Sequence, residues 1–360
     1  TAVLVNVINQ QGCYPTNNWQ ESYFDKAEQA SGEVMTDKYL KKREACFRCP
    51  IACGRYTETS DGVSGGGPEY ETLWAYTADC GVADIEAVIK ANKHCNEYGL
   101  DTISTGCTIA CAMEMYQKGY LKPEDLGDGP PLEFGNAEAV VEWTRRIGAA
   151  EGLGAKMALG SYRFAEMYGC PELSMTVKKQ ELPAYDPRGI QGQGVQYATS
   201  NRGGCHVRGY MISPEILGLP EALDRTSLEG KSHWARLFQD LTAVIDSLGL
   251  CLFTSFALTA DDYAQQLDAC TGWDYTAEDL FVIGDRIWNI ERLFNLKAGI
   301  DPSQDKLPKR LLKEPISSGP SKGMVHHLDQ LLVEYYKLRG WSEDGIPTDE
   351  KLESLGLAKI

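Results

Sequence analysis

Asp84-Ile-Glu-Ala-Val-Ile-Lys-Ala-Asn-Lys-His-Cys-Asn-Glu-Tyr-Gly-Leu-Asp101 is the stretch that decides the fold class. Ile85, Val88, Ile89, Asn92 and Cys95 recur at helical spacing and fall on one stripe. Asp84 stands where a carboxylate caps a helix N-terminus, and Gly99 stands where a helix ends in a left-handed residue. Glu86 and Lys90 are spaced as an i,i+4 ion pair. The same patterning extends outward. Residues 137–167 predict two helices broken near Gly152-Leu-Gly154, and Trp234–Leu248, 261–270, 277–296 and His326–Leu338 predict further ones. Strand signals are few: Ala2–Val7 alternates weakly and reads as a strand or an extended stretch. The expected class is mainly α. A Pro/Gly-rich passage at Pro171–Asp186 divides it into two helical domains, 1–175 and 176–360.

The end of the opening stretch has an echo. Asn96-Glu-Tyr-Gly-Leu-Asp101 follows one helix, and Asp246-Ser-Leu-Gly-Leu-Cys251 follows another. One reading is two ordinary helix C-caps. The other is two pseudo-equivalent loops, one per domain, gripping two copies of a polar heterocycle through amide and carboxylate side chains.

Upstream lies Cys46-Phe-Arg-Cys49-Pro-Ile-Ala-Cys53, three thiols within eight residues. Such density signals a metal, with an iron–sulfur cluster ahead of a structural zinc, because zinc knuckles usually come in pairs and no second C-x2-C exists here. The fourth ligand is assigned to Cys251, which replaces the carboxylate of the first echo with a thiol. That choice sets the cluster between the two domains.

Composition narrows the partners. The 360 residues are 43% hydrophobic and 24% charged, as in ordinary soluble domains. Net charge is −16, from 51 acidic against 35 basic residues, which argues against nucleic acid and against an anionic membrane surface. No apolar run approaches the ~20 residues of a membrane helix. Twelve cysteines scattered over so long a chain do not form a disulfide framework and point to a reducing cytoplasm. The chain begins at Thr1, in mid-stride, so a piece of a longer polypeptide is expected.

Taken in order, the motifs resemble the tungsten-dependent aldehyde:ferredoxin oxidoreductases. The resemblance rests on the cysteine run, Pro68-Glu-Tyr-Glu-Thr72, Ala91-Asn92, Cys95–Thr105, Glu181-Leu-Pro-Ala-Tyr-Asp-Pro-Arg-Gly189, Tyr197-Ala-Thr-Ser-Asn-Arg-Gly-Gly-Cys-His206, Asp246–Cys251 and Gly284–Asn295, and runs from Pro15 to Thr348. It implies domains two and three of that family, without the β-rich domain that precedes them. It also implies a tungsten (or molybdenum) bis-pterin, a [4Fe–4S] cluster held by Cys46, Cys49, Cys53 and Cys251, and Mg2+ bridging the pterin phosphates. Pterin contacts would come from Asn96, Leu100 and Asp101 in one loop and from Asp246, Leu250 and Cys251 in the other, with Arg208 nearby. The family usually begins both loops with Asp, whereas the first loop here begins with Asn96. Contact survives the change, but a charge is lost.

The resemblance further implies Glu71 and His206 as catalytic groups, Glu71 handling the proton of an attacking water and His206 bonding the aldehyde oxygen. Without it, Glu69 has an equal claim to the role of Glu71. Tyr185 and Arg188 are expected to shape their loop. Cys80 reads as a buried thiol, with a metal-ligand role as its alternative. His326 and His327 read as a helix start with no partners nearby. The implied partners are an aldehyde, ferredoxin or an iron–sulfur electron-transfer subunit, and the missing N-terminal domain; a homo-oligomer stays open. Two other functions compete: action on an aromatic acyl-CoA thioester, as in a benzoyl-CoA reductase, and a non-catalytic iron–sulfur electron carrier.

Overall fold

The computed structural model describes residues 4–357. The chain forms two compact units. The first runs up to Gly189 and takes back Pro308–Val325; the second is Ile190–Leu307 with the stretch from His326 onward. The expected division at 175/176 therefore falls inside the first unit, which keeps 176–189 as well.

The first unit contains α1 (Leu4–Gln10), α2 (Gly32–Lys38), α3 (Tyr70–Tyr76), α4 (Ile85–Tyr98), α5 (Thr102–Gln117), α6 (Ala137–Gly148), α7 (Leu153–Met157) and α8 (Ser161–Met167). Helix α4 follows the sequence closely. Asp84 accepts from the Glu86 and Ala87 amides, Gly99 is left-handed at φ 68, and the whole expected stripe is buried. The Glu86–Lys90 pair does not form. The turn at Ser60-Asp61 competes for both partners: Lys90 bonds Asp61 at 2.7 Å, and Glu86 accepts from Ser60. Helix α5 is buried along Thr105–Met115 and packs on α3, where a Cβ on Gly106 would lie 2.7 Å from that of Ala75.

Two expectations are corrected. Leu4–Gln10 is a helix with Val5 and Ile8 buried one turn apart; Ala2 and Val3 lie outside the described residues. A three-stranded antiparallel sheet, β1 (Leu40–Glu44), β2 (Gly54–Glu58) and β3 (Ser64–Gly66), was not expected at all. Its register sets Arg43 opposite Arg55 and Glu44 opposite Gly54, so the cysteine run is the loop joining β1 to β2.

The second unit contains α9 (Gln191–Thr199), α10 (Lys231–Ser247), α11 (Ala260–Thr271), α12 (Ala277–Lys297) and a helix at Leu328–Arg339. Helices α10, α11 and α12 enclose Val244, Ile245, Tyr263, Ala264 and Leu280. Thr259 and Thr276 each close a capping box with an Asp three residues on. At the α10–α12 crossing a Cβ on Gly284 would stand 2.2 Å from the Asp240 carbonyl oxygen. The obstacle is backbone, so Gly284→Ala should force the helices apart and cost about 3 kcal/mol. Thermal melts check this: an unchanged midpoint would mean that the crossing yields freely.

Candidate cluster loop and cofactor loops

The first unit holds the three clustered thiols. Cys46 is exposed, Cys49 and Cys53 are half-buried, and all three are free. The Cys49 amide donates to the Cys46 carbonyl at 3.0 Å, and Arg48 and Ala52 take positive φ values of 55° and 49°, which folds the loop tightly. Among the described residues, no three His, Cys, Asp or Glu side chains converge as a metal site. The donor set nevertheless fits an iron–sulfur cluster in kind: three free thiols on one short loop.

Arg55, two residues past Cys53, binds this loop to its neighbours. Its guanidinium donates to the Cys53 carbonyl, to the Pro68 carbonyl at 2.7 Å and to the Glu69 carboxylate at 2.7 Å. Glu69 is the residue before α3, so one side chain ties the cysteine loop to the helix that carries Glu71. Arg55→Met should lower thermal stability by about 2 kcal/mol. It should also speed tryptic cleavage after Arg48; equal cleavage rates in parent and variant would sink this role.

Glu69 and Glu71, indistinguishable in sequence, have different surroundings. Glu69 faces outward to Arg55. Glu71 accepts from the Ala184 amide at 3.0 Å, and its other carboxylate oxygen is shut off from solvent. Burial pushes its carboxyl up to about 8; the Ala184 amide and the Tyr185 hydroxyl pull it down, and the charge of Asp101 raises it. Arg188 is buried against Asp186 at 2.6 Å and donates to the Trp19 carbonyl at 2.8 Å, so it shapes its loop as expected. Cys80 is a buried thiol donating to the Ala75 and Gly106 carbonyls.

The two echo loops share one backbone design. Gly99 and Gly249 both have φ 68. The Leu100 amide donates to Cys95 at 2.9 Å, and the Leu250 amide to Ile245 at 3.1 Å, in each case five residues back. Asp101 is extended and opens α5; Cys251 is extended and opens a 3-10 turn at Leu252–Phe256. Asn96 and Asp101 are exposed, and Leu100 is half-buried; Asp246, Leu250 and Cys251 are exposed.

In the second unit Arg208 is mostly buried over the Trp288 ring. It donates to Glu291 at 2.8 Å and lies 3.7 Å from Asp246. Its Nε is buried without a partner, a donor left over for a ligand. His206, two residues earlier, belongs to a loop whose carbonyls at 205 and 206 are both held by Gln196. Desolvation, with the charge of Arg202 second, pushes its imidazole down to about 3. His326 corrects an expectation: it is buried, and its Nε2 lies 2.8 Å from the Gln191 carbonyl. Arg55 and Glu291 went unassigned in sequence, although Arg55 stands close to the last clustered cysteine.

The family model for aldehyde ferredoxin oxidoreductase, domains 2 and 3, matches residues 1–357. The chain belongs to this family. Tungsten-containing aldehyde ferredoxin oxidoreductases of Thermococcus kodakarensis and Pyrococcus furiosus are each 56% identical to it over 362 residues, covering all of this chain and 60% of each relative. The chain thus spans about 60% of the length of these curated relatives. The WOR-like subunit of an aliphatic sulfonate oxidoreductase from Pyrococcus furiosus is 28% identical over 98% of this chain and 56% of its own length. Among solved structures, the active-site complex BamBC of benzoyl coenzyme A reductase, with 1,5-dienoyl-CoA, aligns at TM-score 0.76. At 21% identity, over 98% of this chain and 58% of that one, this is a likeness of fold. The mainly helical class expected from sequence is therefore that of the family's domains 2 and 3.

Proposed function

We propose that this chain is the cluster- and pterin-holding part of an aldehyde oxidoreductase that converts aldehydes to carboxylic acids and passes the electrons through a [4Fe–4S] cluster to ferredoxin. The observation that carries the reading is the family match over residues 1–357 together with three free thiols on one short loop. The 56% identity to aldehyde enzymes, against 28% to the sulfonate enzyme, favours an aldehyde over the other substrates.

The tungsten bis-pterin, with Mg2+ at its phosphates, would supply the Lewis acid and two-electron sink. The overall change is aldehyde plus water to carboxylic acid, two protons and two electrons. Cys46, Cys49, Cys53 and Cys251 would hold the cluster. Asn96, Leu100 and Asp101, with Asp246, Leu250 and Arg208, would hold the pterins, and the spare Arg208 Nε–H is suited to a pterin acceptor. Glu71, its carboxyl pushed up to about 8, is suited to take the proton of a water at Oε1 or Oε2. His206 stays neutral at physiological pH and offers a single ring N–H to the aldehyde oxygen without adding charge. Twelve free thiols suit a reducing cytoplasm, and among the described residues no helix is long and apolar enough to cross a membrane.

Metal analysis of the full-length protein tests the proposal. About four iron atoms and one tungsten per chain are expected. Zinc without iron would overturn it.

A further inference from the structure

The chain is acidic, and so are ferredoxins, so an electron acceptor of that kind needs a local surface of opposite sign. Between the flanking acids Asp37 and Glu58 the chain carries six basic residues, Lys38, Lys41, Lys42, Arg43, Arg48 and Arg55, against Glu44, in a protein of net charge −16; Arg55 is taken by Glu69, and the other five remain. This stretch runs from the end of α2 through β1 and the cysteine loop into β2. Strand β1 is an edge of its sheet, and Lys41, Lys42, Arg43 and Glu44 are all exposed. Lys41 lies 3.5 Å from Glu58 and Lys42 3.7 Å from Glu44; both are exposed pairs of little strength that leave the cations available. At the centre of the basic stretch, Phe47 is 90% exposed with the Arg48 guanidinium 5.3 Å from its ring centre, and Ile51 is 40% exposed. Beside it opens a cleft of about 770 Å³ lined by Met35, Leu40, Ile51 and Cys53, among others. An apolar centre within a charged rim is the anatomy of a protein-docking surface.

We infer that β1 and the cysteine loop form the docking face for an acidic, one-electron iron–sulfur protein. Lys41, Lys42 and Arg43 steer the carrier, and Phe47 makes the apolar contact over the thiols. This inference rests on the reading that the clustered cysteines hold the redox centre. Each docking passes one electron from the reduced centre to the oxidised carrier, so two carriers are reduced per aldehyde oxidised. Opposite charge raises the encounter rate at low salt and sets partner choice more than it sets final affinity.

The test uses full-length holoenzyme with an acidic [4Fe–4S] ferredoxin as carrier. In K41E/K42E/R43E, KM for the ferredoxin at low salt should rise about tenfold or more, and its dependence on ionic strength should flatten. Turnover with a small viologen dye, which needs no docking face, should stay at the parent rate. Acetylation of Lys41 and Lys42 should proceed readily in the free enzyme and be suppressed by bound ferredoxin. An unchanged ferredoxin KM, with the cluster signal intact by electron paramagnetic resonance, would overturn the docking face alone. Lysines already shielded in the free full-length enzyme would show that the rest of the polypeptide covers this face, and would overturn it too. A parent holoenzyme lacking any cluster signal would remove the underlying redox reading, and the docking face with it.

Discussion

Glu71→Gln in the full-length, tungsten-loaded enzyme should lower kcat by about 100-fold or more, with KM for the aldehyde little changed. Glutamine keeps the size of the side chain and an acceptor for the Ala184 amide, so the loop stays in place. What it loses is the ability to take a proton. With its carboxyl pushed up to about 8, Glu71 is ionised in roughly one-tenth of molecules at pH 7. The rate should therefore climb as pH rises toward 8 and level off above it. The same shift carries a stability signature. The folded carboxyl, at about 8, holds its proton over a range where the unfolded one, at 4.5, has released it. Stability from this group is present at low pH and is lost as pH rises from about 4.5 through about 8. Melting curves of parent and variant across that window should diverge, the parent falling more steeply. A variant that keeps full tungsten and the parent rate would remove Glu71 from the chemistry.

How much of this was readable in advance depended on whether the deciding force was local. Helix α4 was legible, cap to cap, because Asp84, the buried stripe and Gly99 act within one element. Helices α11 and α12, expected at 261–270 and 277–296, were legible from their apolar spacing, though their Thr259 and Thr276 caps were not read. Strand β1 was not: Leu40-Lys-Lys-Arg-Glu44 has no apolar alternation, and its pairing is set by β2 across the cysteine loop. The stretch Ala2–Val7 was misread, from Leu4 on, because a six-residue window cannot separate two periods, and the burial of Val5 and Ile8 by the surrounding fold selects the helix. At the candidate site the residue types were visible and their states were not. Glu69 and Glu71 differ only because Arg55 claims one and the Ala184 amide meets the other, contacts made with residues 14 and 113 positions away. The twin loops were seen as an echo, and their glycine conformations and hydrogen bonds match, but the helices ending at Gly119, Gly299 and Gly340 close with the same bond, so the match describes how both helices end.

Cys251→Ser should leave the fold intact and strip the iron. The position does different work in the two loops. Asp101 opens α5 and caps it, its carboxylate accepting from the Ser104 amide at 2.7 Å. Cys251 occupies the same place before the Leu252–Phe256 turn, but its thiol makes no capping bond. A thiol is a poor cap, and serine or aspartate would serve the backbone better there, by about 1 kcal/mol. Local stability therefore argues against cysteine at 251, and the free, exposed thiol is left to another task. Serine should hold the turn at least as well while binding iron far more weakly, since soft thiolate ligands select iron–sulfur clusters. Cys270, also free and exposed in the same unit, is the control, and its serine variant should keep both iron and melting point. Iron and the cluster's electron paramagnetic resonance signal, measured in the full-length protein, decide the matter. Loss in the 251 variant alone, with an unchanged or raised melting temperature, separates a missing ligand from a damaged fold. Full iron in both variants would mean that the fourth ligand lies elsewhere, and that the departure from a carboxylate at 251 answers some other demand.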